Sequence, residues 1–334
     1  MSDAERRRGG ITRREFIKTG IVIGAAAAAS PFLRMLGTTS VAEDEEDRRI
    51  YYEFFDITND KDRLQYYEAV GLVVEKDGKK LVANPLLPDK PMAYTKPVWE
   101  DTFPLLPPGA TKDFYSRCIR CGLCYSACNY MGYNAIRLAD FSAGHKKLGT
   151  PIVDRQWLYP CTLCMECTVV CPTGALAEIP KRDVQMGIAL IDPDLCWAWN
   201  SGDCKSCAKA CPFGSEVFEF TFNEWGVHTK VRPDRCKGCG LCVPACPING
   251  AAIHVLPKEV YEERTKNYKN TGMSYEEYLK LILETERKDP AAAVMRSQIN
   301  TDYIQNVRGY TEEKIQTELG ASATTSTKRG EKSA

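Results

Sequence analysis

The cysteines of this chain fall into four groups that share one spacing pattern. In each group, three cysteines are followed by a fourth after a gap of three residues, and a proline follows the fourth in three of the groups. The spacing C-x2-C-x2-C-x3-C-P is typical of loops that bind [4Fe-4S] clusters. The third group departs from it by a first gap of seven residues. The groups are Cys118, Cys121, Cys124 and Cys128; Cys161, Cys164, Cys167 and Cys171; Cys196, Cys204, Cys207 and Cys211; and Cys236, Cys239, Cys242 and Cys246.

These groups account for all 16 cysteines of the chain. Because a [4Fe-4S] cluster takes about four thiolate ligands, we predict four clusters with every cysteine as a ligand. Two other uses of cysteine fit less well. A zinc ion needs only two C-x2-C pairs and no third cysteine. Cysteines so close in sequence rarely reach disulfide geometry, and disulfide frameworks do not repeat a fixed triplet plus one.

The fourth cysteine of each group raises the question of which cluster it binds. In two-cluster ferredoxins it binds the partner cluster, so the four groups could pair as sequence neighbours or nest within one another. By analogy with four-cluster electron-transfer subunits, we expect nesting. Under that prediction Cys246 joins the first three cysteines of group one, Cys128 those of group four, Cys211 those of group two, and Cys171 those of group three.

The first group is also the one that lacks the proline, because Asn129 stands in that position. Proline has a preset φ and no amide hydrogen, and both properties help to end a loop or helix. We therefore expect the first loop to differ most in shape from the other three.

The N-terminus has the pattern of an export signal. Arg13 and Arg14 lie in the sequence Thr-Arg-Arg-Glu-Phe-Ile-Lys, which closely resembles the twin-arginine (Tat) signal for export of folded proteins. A mildly apolar run follows, and small residues at 40–42 offer a cleavage site. We expect residues 1–42 to direct the protein to the periplasmic or extracytoplasmic face of the membrane. An uncleaved signal that acts as an anchor is the alternative.

Local patterns predict the elements of the remaining chain. Asp77-Gly78 between two apolar runs predicts a β-hairpin. Alternating apolar residues predict a second hairpin over 218–231, and 187–191 has the pattern of a strand. Ser274 opens a capping box at the start of a helix, and Asp289-Pro290 ends that helix.

The fold class predicted from these patterns is α+β. It consists of tandem bacterial-ferredoxin-like modules, two two-cluster units, with a C-terminal helical extension. The predicted segments are the Tat signal (1–42), a linker or strap with the small hairpin (43–110), the four-cluster ferredoxin-type domain (111–257), the helical extension (258–320) and a disordered tail (321–334).

Other chemistry finds little support in the sequence. There is no C-x-x-C-H pattern for covalent haem, no phosphate-binding glycine loop and no nucleophile constellation. The formal net charge is zero, so no basic excess points to nucleic acid. We expect structural roles for His228 and His254, and we expect tryptophans 197, 199 and 225 to shield a cluster from water. No catalytic residue is predicted, and an electron-transfer subunit fits better than a stand-alone catalyst.

Several motifs of the chain occur together in one family of proteins. They are the twin-arginine start, Pro107-Pro108-Gly109-Ala110, Arg120-Cys121-Gly122-Leu123-Cys124, Cys171-Pro172-Thr173-Gly174-Ala175-Leu176, Met186-Gly187-Ile188-Ala189, the stretched third group and the segment 251–257. In these motifs the chain resembles the NapG/MauM family of periplasmic ferredoxin-type proteins. The resemblance implies an extracytoplasmic iron–sulfur protein that passes electrons between a membrane-embedded quinol-oxidising subunit and a periplasmic redox enzyme or cytochrome. The alternative is the iron–sulfur subunit of a membrane-associated molybdopterin oxidoreductase.

Overall fold

The computed structural model of the chain describes residues 52–98, 102–143, 147–200, 202–248 and 252–307. All 16 cysteines lie within these ranges, whereas the predicted signal peptide, the predicted disordered tail and His145 lie outside them.

The segment before the first cysteine group forms two small antiparallel sheets. One joins β1 and β5, and the other has the order β2-β3-β4. The predicted hairpin is confirmed: β2 and β3 are joined by Asp77 and Gly78, whose φ values of 52° and 74° are both positive, as a type I′ turn requires. The elements are β1 (Tyr52–Phe54), α1 (Lys61–Ala69), β2 (Val73–Lys76), β3 (Lys79–Asn84), β4 (Leu87–Pro91) and β5 (Ala93–Thr95).

Between the cysteine loops the chain forms only short helices and strands. The second hairpin is confirmed as β9 and β10. The predicted strand near 187–191 is β8, and it pairs antiparallel with β11, which follows the last cysteine group. The elements are α2 (Phe114–Arg117), α3 (Leu123–Tyr130), β6 (Arg137–Leu138), β7 (Pro151–Ile152), α4 (Glu166–Val169), β8 (Ile188–Ile191), α5 (Trp197–Asn200), α6 (Ser206–Ala210), β9 (Phe218–Asn223), β10 (Gly226–Val231) and β11 (Ile253–Leu256).

Three helices follow the cysteine groups: α7 (Lys258–Lys266), α8 (Tyr275–Lys288) and α9 (Pro290–Asp302). The predicted capping box is confirmed, because Ser274 Oγ accepts a hydrogen bond from the amide of Glu277 and the Glu277 carboxylate accepts one from the amide of Ser274. Asp289 ends α8 and caps α9 through the amide of Ala292. Within the described ranges, no helix is long and apolar enough to cross a membrane.

A buried ionic network joins the C-terminal helices to the segment that precedes Cys196. Lys269 Nζ lies 2.7 Å from an Asp192 oxygen and 2.5 Å from an Asp194 oxygen, and Arg296 Nε donates to Asp194 at 2.9 Å. All four side chains are at most 3 % exposed. Two positive and two negative charges therefore compensate each other inside the protein, which is the condition for burying them at all.

Candidate metal centres

The structure gathers the 16 free thiols into compact sets. In the described ranges, no three His, Cys, Asp or Glu side chains converge tightly enough to hold a single metal ion. Three of the thiol sets instead line pockets in the protein.

Site A combines the first cysteine group with the second. Its cavity is lined by Cys118, Cys121, Cys124 and Cys171, so three thiols come from one loop and the fourth from the next.

Site B is the reciprocal set. Cys161, Cys164 and Cys167 of the second group lie together, and Cys128 of the first group is close enough to affect the ionisation of Cys161 and Cys167. Sites A and B therefore exchange their fourth cysteines, as the two-cluster ferredoxin pattern requires.

The other two groups repeat the exchange. Site C has a cavity lined by Cys236, Cys239 and Cys242 with Cys211 of the preceding group. Site D has a cavity lined by Cys196, Cys204 and Cys207 with Cys246 of the last group.

The nested pairing predicted from the sequence is therefore wrong. Cys171 lies with the first group instead of the third, and Cys246 lies with the third group instead of the first. The reason is local packing: α3 and α4 pack against each other. Cys128 lies within α3 and Cys171 follows α4, so each helix carries its fourth cysteine towards the other's loop. Sequence separation could not decide this, since groups two and three are as close in the chain as groups three and four.

The first loop differs in shape from the second and third, both of which have the proline. Helix α3 continues through Cys128 to Tyr130. In the second and third groups the corresponding helices end before the fourth cysteine, at Val169 and Ala210. Asn129 permits this continuation because, unlike proline, it keeps its amide hydrogen and does not clash with the preceding turn.

Burial makes these thiols difficult to ionise on their own. Burial, reinforced by the neighbouring cysteines, raises the pKa of Cys124 to about 11 and that of Cys207 to about 12. The same causes raise the pKa of Cys196 and Cys242 well above the ordinary value. Four buried thiolates can coexist only around a group that supplies compensating positive charge. An iron–sulfur cluster bound through iron meets that need, and an all-sulfur donor set suits it.

Some sulfur atoms also receive hydrogen bonds from the backbone. The amide of Leu176 donates to Cys171 Sγ at 3.4 Å, and the amide of Ala189 donates to Cys236 Sγ at 3.4 Å. Burial alone would raise the pKa of Cys171, but the hydrogen bonds from Leu176 and Thr173 lower it on balance. Such bonds favour the thiolate, and in iron–sulfur proteins hydrogen bonds to sulfur help to set the reduction potential.

The four sites follow one another in the order A, B, C, D. Cys124 of site A lies close enough to Cys167 of site B to help raise the pKa of that thiol. The amide of Cys161 in site B donates to the carbonyl of Cys239 in site C at 2.8 Å. Cys207 of site D lies close enough to Cys242 of site C to help raise the pKa of that thiol. The spatial order therefore differs from the sequence order, because the fourth group lies between the second and the third.

Two glycines allow the site C loop to lie against the residues at the start of β8. Gly238 has φ +68°, and a Cβ at this position would lie only 2.3 Å from the backbone nitrogen of Gly187. A Cβ on Gly187 would in turn lie 2.6 Å from the carbonyl oxygen of Leu256. The side-chain amide of Gln156 donates to the carbonyl of Gly238 at 3.1 Å and holds the same loop. Sequence reasoning missed this junction because a lone glycine does not reveal which backbone approaches it.

The histidines and tryptophans near site D are held by protein partners. His228 is buried in β10, with Nδ1 3.1 Å from the Ala198 carbonyl and Nε2 2.9 Å from a Glu286 oxygen. Trp199 is buried and stacks on the His228 ring at 4.5 Å. Trp197 lines the cavity of site D but remains 44 % exposed. His254 is buried in β11, so both described histidines lie in strands.

Comparisons with known proteins agree with this site chemistry. Two family models described as "4Fe-4S dicluster domain" match the chain, one at residues 115–175 and the other at 160–215 and 202–251. The methylamine utilization ferredoxin-type protein MauM of Methylorubrum extorquens is 38 % identical over 168 residues, which cover 47 % of this chain and 74 % of that protein. The MauM protein of Paracoccus denitrificans is 34 % identical over 171 residues, 48 % of this chain and 74 % of the relative.

The ferredoxin-type protein NapG of Escherichia coli K12 is 36 % identical over 167 residues, 46 % of this chain and 70 % of the relative. The chain belongs to the MauM/NapG family. It is thus a ferredoxin-type iron–sulfur electron-transfer protein with tandem 4Fe-4S dicluster domains, as the resemblance of its motifs predicted. No solved structure matches it.

Proposed function

We propose that this protein is a four-cluster electron relay at the extracytoplasmic face of the membrane. It passes electrons between a membrane-embedded quinol-oxidising subunit and a periplasmic redox enzyme or cytochrome. Iron–sulfur clusters supply one-electron transfer, and the protein supplies their position, burial and hydrogen bonding.

The observation that carries the proposal is the arrangement of sixteen thiols into four sets. Each set lies next to the following one in the order A, B, C, D, and we call this arrangement the row. The exchange of fourth cysteines gives two two-cluster units, A with B and C with D. The hydrogen bond from the Cys161 amide to the Cys239 carbonyl and the one from the Gln156 side chain to the Gly238 carbonyl link the two units. A row has two ends, so one redox partner can contact site A while another contacts site D. That geometry suits a relay better than a single-partner carrier.

Residues from both flanking segments of the chain pack beside site D. Site D lies beside a core formed from both flanking segments: Leu195 packs with Phe55 and Ile57 of the N-terminal segment and with Ile299 of α9, and Cys196 and Cys246 pack against the same core. The indole of Trp199 donates to the Thr229 carbonyl at 2.9 Å beneath this site. A low-dielectric surround of this kind limits solvent access and so influences the potential of a bound cluster.

The extracytoplasmic location is supported by the Arg13-Arg14 motif. The Tat route carries folded proteins. A protein whose thiols must be loaded with iron and sulfide in the reducing cytosol is suited to that route, because its clusters can be in place before export.

The experiment is to purify the tagged full-length protein anaerobically from membranes of its native host and to add a reduced quinol. Reduction of the clusters, followed by their absorbance and EPR signals, should depend on a co-purified membrane subunit and stop when that subunit is removed. A preparation that co-purifies instead with a molybdopterin subunit, and whose clusters are reduced only through it, would favour the molybdopterin alternative. Clusters that no quinol reduces in the intact membrane complex would refute the relay.

A further inference from the structure

The two ends of the row differ in their surroundings. Two cysteines of site D, Cys196 and Cys246, pack against residues from both ends of the described chain, including Phe55 and Ile299. At site A, in contrast, Cys121 is the one exposed cysteine among the sixteen.

Exposed apolar side chains also concentrate on the half of the molecule that holds site A. Among the described residues, fifteen large hydrophobic side chains are exposed, and ten of these lie between Tyr115 and Val169. Ile119 is 65 % exposed and Leu123 is 47 % exposed, and both line the cavity of site A together with Cys121. Scattered exposed hydrophobic residues need no explanation, but a concentration around a functional site marks a binding surface.

The charges at this surface have one predominant sign. Residues 111–124 contain three cationic side chains, Lys112, Arg117 and Arg120, and one acidic side chain, Asp113. Arg120 is the one charged residue among those that line the site A cavity. Arg117 is exposed, and its guanidinium donates to the Gly174 carbonyl at 3.2 Å. This bond holds the side chain beside the loops of the first and second cysteine groups. The surface therefore has an apolar centre and a cationic rim.

We infer that this surface, which we call the site A face and define by Tyr115, Arg117, Ile119, Arg120, Cys121 and Leu123, docks a redox protein. The contact surface of that partner is apolar at its centre and carries carboxylates at its rim. Apolar side chains at the centre of an interface provide most of the affinity, whereas complementary charges at the rim mainly accelerate association. The inference rests on the proposed relay function, since it assigns one end of the row to one partner.

The test begins with a photo-crosslinking amino acid placed at position 119 or, as a control, at position 294 of the full-length protein in its native host. Val294 is also exposed, 41 % against 65 % for Ile119, but lies on α9. We expect a redox-cofactor protein to be crosslinked from position 119 and not from position 294. That protein is then identified by mass spectrometry, purified, and its binding kinetics with the anaerobic holoprotein are measured.

Three variants separate the centre of the face from its rim. Leu123→Glu should weaken binding by about 30-fold or more, as a hot-spot residue does. A glutamate is tolerated at the first position of α3 because the helix N-terminus favours negative charge. Arg117→Glu should slow association about tenfold at low salt, with the effect fading as salt is raised. Val294→Glu should leave both rates unchanged. Ile119→Ser provides a second test of the centre if Leu123→Glu is not recovered.

Iron content and EPR spectra of each variant keep the inference separable from the relay itself. A wild-type protein without clusters would overturn the proposed function. Intact clusters with equal binding by wild type, Leu123→Glu and Ile119→Ser would overturn the docking inference alone. It is also overturned if position 119 crosslinks only a second copy of this chain. Binding of the wild type to protein-free anionic vesicles that Leu123→Glu abolishes would assign the face to lipid instead.

Discussion

The contact between the site C loop and the start of β8 gives the sharpest prediction of the effect of a single methyl group. In Gly238→Ala, the new Cβ would lie 2.3 Å from the nitrogen, 2.6 Å from the oxygen and 2.7 Å from the carbonyl carbon of Gly187. All three are backbone atoms, so no side chain can rotate away to relieve the overlap. Gly187 cannot easily move away, because its Cα is packed against the carbonyl oxygen of Leu256 at the end of β11.

The expected loss in the free energy of unfolding has two contributions, one conformational and one from packing. A residue with a Cβ costs about 1–2 kcal/mol in the left-handed region that φ +68° represents. Forcing extra volume into a packed contact typically costs a further ~1–3 kcal/mol. We therefore expect Gly238→Ala to lower the free energy of unfolding by about 2–5 kcal/mol.

A matched control separates the packing cost from the conformational cost. Gly132 follows the first cysteine group and has φ +79°, but nothing lies within 4 Å of its would-be Cβ. Gly132→Ala should therefore lose only the conformational share, about 1–2 kcal/mol. The assay is anaerobic urea unfolding of the two variants and the wild type under identical conditions, followed by circular dichroism and by cluster absorbance. Equal losses in the two variants would show that the close backbone contact between Gly238 and Gly187 adds no cost of its own.

Three further predictions concern ligand sets, buried charge and export. Cys171→Ser should alter the EPR signal of the cluster held by the first cysteine group and leave that of the third group unchanged; the reverse result would restore the nested pairing. Lys269→Met should destabilise the protein by about 3–5 kcal/mol in urea unfolding because it leaves buried carboxylates without their cation, whereas Lys288→Met, at an exposed helix pair, should cost less than about 1 kcal/mol. Similar losses for both lysines would contradict the role of the network. Replacing Arg13 and Arg14 by lysine should retain the cluster-loaded protein in the cytoplasm in a fractionation assay, and unchanged export would show that the segment is not a Tat signal.

Sequence reasoning succeeded wherever the pattern is local. The Asp77-Gly78 turn, the hairpin of β9 and β10, and the capping box at Ser274 all depend on residues within a few positions of one another, and the structure contains each of them. The ferredoxin-type family could also be predicted, because the cysteine spacing is a property of each loop by itself.

The remaining features depend on contacts between distant segments. The exchange of Cys128 and Cys171 follows from the packing of α3 against α4, and spacing alone is compatible with either pairing. The ionic network joins Asp192 to Lys269, which is 77 positions away. One signal was available: two aspartates in an otherwise apolar stretch just before Cys196 require buried cations to compensate them. Which cations would do so could be learned only from the fold.

The measurement that tests the central claim most directly is the iron and acid-labile sulfide content of the anaerobically purified, fully reconstituted full-length protein. Four complete thiol sets predict about sixteen iron and sixteen sulfide per chain, with EPR signals of four [4Fe-4S] clusters on reduction. Eight iron or fewer in an intact sample, or stoichiometric zinc in place of iron, would contradict the four-cluster relay.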